Sequence, residues 1–555
     1  MGAEGQPPHG GAYAVAASRR HGVQTMFTLS GGHVFPLYDG AVKADPPLRI
    51  LDVRHEQTAV FAAEATARLG RTPGLAVLTA GPGVTNGVSA ITTAHFNGSP
   101  LVVLAGRAPD HRWGSGSLQE IDHPVLLQAI TKRAWTEHET ARVGAAADEA
   151  FRLAAARHRG PVFLDMSVEA LFGTADDPVP VPDASPASDQ PDPGAIDEIA
   201  RLLARSSRPV LVLGSDVWLD GAEQAARAAA EELRLPVITN GQGRGILPAG
   251  HELLVTRARS VALGQADLVI VAGTPLDFRL GYGEFGSKDG TPPAQVVHVT
   301  DAPSALARHR DLAAAAAGNL AAFFTRLADA ARPLMPGQPD GEDGWLARLQ
   351  AACKQAVAAD GPLLSSEADP IHPMRIYGEL TRLLEPDAVV IGDGGDFVSY
   401  AGKYVEPRRP GGWLDPGPYG CLGTGLGYAI AARVARPSAQ VVLLLGDGAA
   451  GFSLMDADTL VRHRLPVVMI VGNNGIWGLE KHPMRFLYGY DVAADLQPQC
   501  RYDQVVSALG GAGELVTRPA DIGPALRRAF ASGVPYLVNI ATDPQNAYPR
   551  STTGV

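Results

Sequence analysis

The sequence predicts an α/β protein of three doubly wound domains, each a parallel sheet with helices on both faces. Three observations predict it. A chain of 555 residues exceeds what one hydrophobic core organises and suggests about three domains. Short apolar runs alternate along it with Ala-rich stretches, the alternation that builds parallel sheets. Two segments rich in proline and acidic residues, DDPVPVPDASPASDQPDP (176–193) and RPLMPGQPDGEDG (332–344), read as linkers, because proline removes backbone donors and favours extended, solvated chain. The expected domains are 1–175, 190–331 and 345–555.

Composition excludes several classes. A formal net charge of −11 argues against a nucleic-acid partner, which requires a basic face. No apolar run approaches the roughly 20 residues of a membrane span, and the N-terminus MGAEGQPPHGGAYAVAAS lacks a basic-then-apolar signal pattern. Cys353, Cys421 and Cys500 are scattered, with neither disulfide-framework nor metal-site spacing. A reducing cytoplasm is the expected setting.

In chain order, Ser30-Gly31-Gly32-His33 closes a first strand. In DVRHEQTAVFAAEATA (52–67) an extended segment reaches Arg54-His55 and Glu56 opens an apolar-periodic helix, where a carboxylate is favoured by the macrodipole. Leu75 to Leu78 leads into a Gly-Pro-Gly turn, TAGPGVTNG. The middle third has strands at Pro209–Ser215, Pro236–Asn240 and Leu268–Gly273; no GxGxxG follows the first, and Gly241-Gln242-Gly243-Arg244-Gly245 follows the second. In the last third VVIGDGGDF (389–397) is again strand then glycine turn. The most informative stretch is LGDGAAGFSLMDADTLVRHRLPVVMIVGNN, Leu445 to Asn474. Two apolar strands joined through a helix lie parallel and open on the same sheet edge, so Asp447 and Asn474 become neighbours. A carboxylate and an amide oxygen suit Mg²⁺, which completes its shell from phosphate and water. Glycines and a helix N-terminus admit a phosphate.

GDG followed by NN at this interval resembles the motif of thiamine diphosphate (ThDP) enzymes. The resemblance covers essentially the whole chain: a pyrimidine-binding, a middle and a diphosphate-binding domain. It implies Asp447, Asn474 and the main-chain oxygen of Ile476 as Mg²⁺ ligands, with Gly448 and Ala449 against the diphosphate. RHE followed by AVFAAEA resembles the segment whose glutamate hydrogen-bonds the pyrimidine N1′, which implies that role for Glu56. A single positioned carboxylate suffices because the cofactor carries the carbanion chemistry. His33 lies where relatives cover the thiazolium, as acid or base or as pocket lining. Gln119 lies in a loop, Leu118-Gln119-Glu120, that brings a glutamine near C2. Gly394, Asp396 and Phe397 correspond to contacts at the diphosphate end. Gly420 and Leu422, in GCLGTG, correspond to the turn whose bulky residue bends the cofactor into a V, a proximity device. Glu480, in GIWGLEKHPM, is either a proton carrier for substrate or a surface glutamate beside Lys481.

In relatives the middle domain holds FAD, holds ADP or CoA, or holds nothing. Asp301, at a strand end, resembles an acid that meets an adenosine ribose, and Arg279 either meets a phosphate or seals a domain interface. The segments GGHVFP, RHEQTAVFAAEA, DFRLGYG and DGGDF resemble 2-hydroxyacyl-CoA lyases of the acetolactate-synthase-like type. They imply a reversible carbon–carbon lyase or carboligase giving formyl-CoA plus an aldehyde or ketone. Acetolactate synthase, condensing 2-keto acids after pyruvate decarboxylation, is the alternative. Oxalyl-CoA decarboxylase and a catalytically inactive ThDP-fold subunit follow. No adjacent His-His pair is present, which counts against simple 2-keto-acid decarboxylases. The resemblance also implies a homodimer or homotetramer with active sites between subunits.

Overall fold

The computed structural model describes residues 7–180, 189–335, 344–546 and 548. The central parts of both expected linkers, 181–188 and 336–343, lie outside the described residues. The first sheet contains β1 (Thr25–Thr28), β2 (Arg49–Asp52), β3 (Gly74–Leu78), β4 (Leu101–Arg107), β5 (Arg133–Glu137) and β6 (Val162–Ser167). All are parallel, in the order β2-β1-β3-β4-β6-β5. The middle sheet contains β7 (Pro209–Leu213), β8 (Val237–Thr239), β9 (Leu268–Ala272), β10 (Gln295–Thr300) and β11 (Ala314–Ala317). It is parallel too, in the order β11-β10-β9-β7-β8. The third comprises β12 (Val389–Asp393), β13 (Trp413–Leu414), β14 (Val441–Gly446), β15 (Val468–Asn473), β16 (Ala512–Val516) and β17 (Tyr536–Ala541). Its order, β13-β12-β14-β15-β17-β16, repeats the first sheet position for position, again all parallel.

Helices on both faces explain the continuous apolar runs. β4 (LVVLAGR) is buried at every position, as is the VVLLL of β14, the pattern of a parallel strand with no solvent face. The helices Glu56–Gly70 and Thr424–Ala435 follow the second strand of their respective sheets and pack against each other. Gly427 permits the close approach: a Cβ there would lie 2.7 Å from Phe61 Cβ. Phe61 and Tyr428 meet edge to face at 5.9 Å, and their core joins apolar residues of both sheets. Buried aromatic and aliphatic side chains of this kind contribute about 1.5–3 kcal/mol each. Among the described residues no helix is long and apolar enough to cross a membrane.

This topology sets where ligands enter. Strand order reverses between β1 and β3, and between β12 and β14. In open parallel sheets the crevice at the carboxyl ends beside such a reversal is the ligand site. Every loop that carries a candidate residue of the first and third domains leaves the carboxyl end of a strand, except the loops of Gln119 and Glu480, which come from further along the chain.

Candidate active site

At the third sheet, Leu445 pairs with Val471 and Gly446 with Gly472, so Asp447 and Asn474 leave adjacent strand ends. Asp447 opens the helix Asp447–Ser453 and is buried. Its carboxylate accepts the N–H groups of Gly448 at 3.0 Å and Gly475 at 2.6 Å. Asn474 Oδ1 accepts the Ile476 N–H at 3.2 Å. Burial pushes the Asp447 carboxyl up to about 6, against the pull of its backbone hydrogen bonds. A buried carboxylate in that condition favours a cation beside it.

Gly394, Asp396, Phe397, Gly420, Leu422, Asp447, Gly448, Ala449, Asn474, Ile476 and Glu480 all line one cavity of about 640 Å³. Two helix N-termini, of Gly395–Tyr404 and Asp447–Ser453, reach it, which suits an anion. Gly394 (φ +57°) lies directly under Leu422: a Cβ would sit 1.9 Å from Leu422 Cδ2. Gly420 (φ +69°) faces open space. The donor set and the cradle thus fit a Mg²⁺-diphosphate. The Phe397 ring turns into the core against Gly472 and stacks on Tyr377 at 5.2 Å, so it offers the cavity mainly backbone. Glu480 is exposed on its wall. Lys481 turns away from it, to Asp491 at 3.0 Å and to Asp495.

His33, Glu56 and Gln119 line a different cavity, of about 430 Å³, together with Thr79, Pro82 and Gly83. Glu56 is 7% exposed, and its Oε2 accepts Asn86 Nδ2 at 3.0 Å. His33 Nδ1 lies 3.2 Å from Thr79 Oγ1. Burial holds His33 below its ordinary pKa, which favours the neutral ring at pH 7. Gln119 has φ +63°, a left-handed conformation uncommon outside glycine that marks local constraint.

Three residues that sequence reasoning missed shape these cavities. Asn86 lies in the quoted TNG, but only the fold shows that it faces Glu56. Asp393, fully buried, accepts the N–H groups of Gly423 at 2.9 Å and Gly425 at 2.8 Å and so sets the turn beside Leu422. Asp456 accepts Arg54 N–H at 2.8 Å and Thr58 Oγ1 at 2.6 Å, which pins the start of the Glu56 helix to the third domain.

Asp301 requires a correction. It is 1% exposed and lies between the first and middle domains, its carboxylate engaged by His158 Nδ1 at 2.7 Å and Arg159 at 3.2 Å. This interface role replaces contact with a ribose. The middle-domain glycines are likewise spent on packing: Gly243 sits against the Leu213 carbonyl and Gly245 against that of Arg409. Burial opposes a charged His158, but the Asp301 hydrogen bond and the charges of Asp216 and Asp301 outweigh it and raise the ring to about 9. With a folded pKa above the ordinary 6.5, its stabilisation is complete below about 6.5 and lost as pH rises through about 9. Lys132 nearby, lowered to about 8 chiefly by burial, acts in the opposite sense above that pH. The melting-temperature gap between wild type and H158Q should therefore be widest at pH 6 and shrink by pH 9.5. A gap independent of pH would refute this.

Comparison with known proteins agrees with this geometry. Residues 8–126 match the thiamine pyrophosphate enzyme N-terminal TPP binding domain, 196–327 the central domain and 393–540 the C-terminal TPP binding domain. The chain is 48% identical over 552 residues to a probable acetolactate synthase of Mycobacterium bovis and to the acetolactate synthase large subunit IlvG of Mycobacterium tuberculosis, covering 99% of this chain and 98% of each relative. It is 34% identical to 2-hydroxyacyl-CoA lyase 2 of Caenorhabditis elegans, over 92% of this chain and 84% of that protein. Three α/β domains in the matching order, with both TPP-binding halves present, establish that the chain belongs to the thiamine pyrophosphate enzyme family.

Proposed function

We propose that the protein is a Mg²⁺- and ThDP-dependent carboligase of the acetolactate-synthase type, joining two 2-keto acids with loss of one CO₂. The observation that carries this is the 48% identity to acetolactate synthases over nearly the full length of both chains, against 34% to a 2-hydroxyacyl-CoA lyase 2. It reverses the order of the two activities expected from sequence segments alone.

Bound ThDP supplies a carbon nucleophile and accepts the electron pair left when carboxylate carbon departs. The chain holds and orients it. Asp447, Asn474 and the Ile476 carbonyl are the proposed Mg²⁺ ligands, and Gly394, Asp396, Phe397, Gly420, Gly448 and Ala449 surround the diphosphate. Leu422, packed over Gly394, would press on the bound cofactor from one side. Glu56 holds a proton at the pyrimidine ring nitrogen, Gln119 and neutral His33 face substrate, and Glu480 exchanges protons with it. A second copy completes each site, as homodimer or homotetramer, as the family resemblance implies; that the Glu56 and Asp447 cavities share no lining residue is in keeping with it.

A lyase acting on a 2-hydroxyacyl-CoA is the second reading. Asn240, Arg244, Phe278 and Arg279 of the middle domain also line the Asp447 cavity. Burial and the charges of Arg244 and Arg279 lower Arg259 to about 10. The Arg244 and Arg279 guanidiniums suit the phosphates of CoA, ADP or FAD, although Asp277 already engages Arg279 at 2.7 Å. Purified enzyme with ThDP and Mg²⁺ is given pyruvate and a short 2-hydroxyacyl-CoA together, and products are identified by mass spectrometry. Acetolactate with the thioester intact is expected. Formyl-CoA with an aldehyde or ketone would install the lyase instead.

A further inference from the structure

We propose that the buried pair His123–Asp165 is the positioning device of the Glu56 cavity, acting through the backbone of Gly81 on Gln119 and Glu56. Neither side chain reaches solvent or the cavity: both are 0% exposed. The backbone N–H of Gly81 donates to His123 Nε2 at 2.9 Å, and His123 Nδ1 lies 2.8 Å from Asp165 Oδ2. The amide can only donate, so Nε2 is the acceptor and the ring proton lies on Nδ1, shared with Asp165. A neutral ring is thereby held in one tautomer. Arg107 flanks the carboxylate at 3.4 Å, reaches Asp122 at 3.4 Å, and lies 3.6 Å over the Trp113 ring. Filling this volume would need only an apolar residue. A buried imidazole and carboxylate are costly unless their hydrogen bonds accomplish something specific.

What they accomplish is visible at Gly81. Its φ of +60° and ψ of −115° are open essentially to glycine alone, and its N–H precedes the first turn of the helix Pro82–Thr85, where no helical acceptor exists. On one side Gly81 touches Gln119: a Cβ would lie 2.7 Å from Gln119 Cβ and 3.0 Å from its Cα. Gln119 itself holds its left-handed φ of +63° against that contact. On the other side the turn runs on to Asn86, whose amide holds Glu56. One buried pair therefore stands behind two of the candidate groups of this cavity, Gln119 and Glu56. His123 is a positioning residue, since burial denies it any reacting atom.

The role rests on Glu56 and Gln119 facing ThDP as proposed above. The test uses holoenzyme with ThDP and Mg²⁺ and compares H123L, H123Q and H123N. Glutamine can accept from Gly81 and donate to Asp165; leucine can do neither. Asparagine can donate to Asp165 but is a methylene too short to accept from Gly81. Hydrogen–deuterium exchange at C2 of bound ThDP needs no substrate, and calorimetry gives ThDP affinity. Expected for H123L and H123N is exchange per bound cofactor slowed by about 30-fold or more with ThDP affinity within about threefold, as misplacement of positioned groups predicts. H123Q should recover exchange to within about fivefold of wild type. Exchange within about threefold of wild type in both H123L and H123N would overturn the proposal. So would a parallel loss of exchange, affinity and melting temperature, the mark of a merely structural pair. Should H123L not fold, H123N, which keeps a partner for Asp165, decides. Wild-type enzyme that exchanges C2 but makes no acetolactate would overturn the substrate assignment and leave this one standing.

Discussion

Asp447→Ala should give a folded protein that no longer retains ThDP. The side chain is a buried carboxylate between two parallel strand ends, held by the Gly448 and Gly475 N–H groups and pushed up to about 6 by burial. Alanine removes the only carboxylate among the proposed ligands while leaving the helix start and the strand pairing of Gly446 with Gly472 intact. Losing a charged ligand should weaken joint Mg²⁺-ThDP binding by at least about 100-fold, since loss of an outer partner alone costs 10–100-fold. Calorimetric titration with ThDP and Mg²⁺, beside a melting curve, measures both halves of the expectation. Affinity within about tenfold of wild type would remove Asp447 from the metal site.

Glu56→Gln should do the reverse: bind ThDP normally and fail to activate it. Glutamine keeps an oxygen to accept from Asn86, so the hydrogen bond at 3.0 Å and the helix start survive, and the Asp447 cavity is untouched. What disappears is a group able to trade a proton with a ring nitrogen, a contribution of about 10²–10⁴ in rate. C2 exchange in bound cofactor should slow by about that factor, and turnover with it. Exchange within about tenfold of wild type would show that Glu56 serves only as a helix-start carboxylate. Together the two variants separate holding from activating, and they fall in two different cavities of one chain.

Much of this was legible before any coordinates. The strand–turn pattern at GDG and at NN predicts adjacent ends because parallel strands joined by a helix have little geometric freedom, and β14 and β15 pair in that register. The apolar periodicity after Glu56 predicts the helix Glu56–Gly70. Asp301 went the other way. A carboxylate at a strand end looks alike whether a ribose or an imidazole meets it, and only the packing of the middle domain on the first puts His158 there. Asn86, Asp393, Asp456 and His123 act through hydrogen bonds across large sequence separations, which carry no local periodicity or spacing.

The sequence by itself determined the three-domain α/β architecture and the neighbouring strand ends that carry Asp447 and Asn474, because local propensity, strand alternation and glycine turns encode them over short stretches. Only the tertiary structure decided that the candidate residues divide between two separate cavities, that the middle-domain glycines and Asp301 are committed to domain packing, and that a buried His–Asp pair braces the Gly81 turn. Those outcomes depend on which faces meet when three sheets pack, and a contact between residues distant in sequence exists only once that packing has brought them within hydrogen-bonding distance.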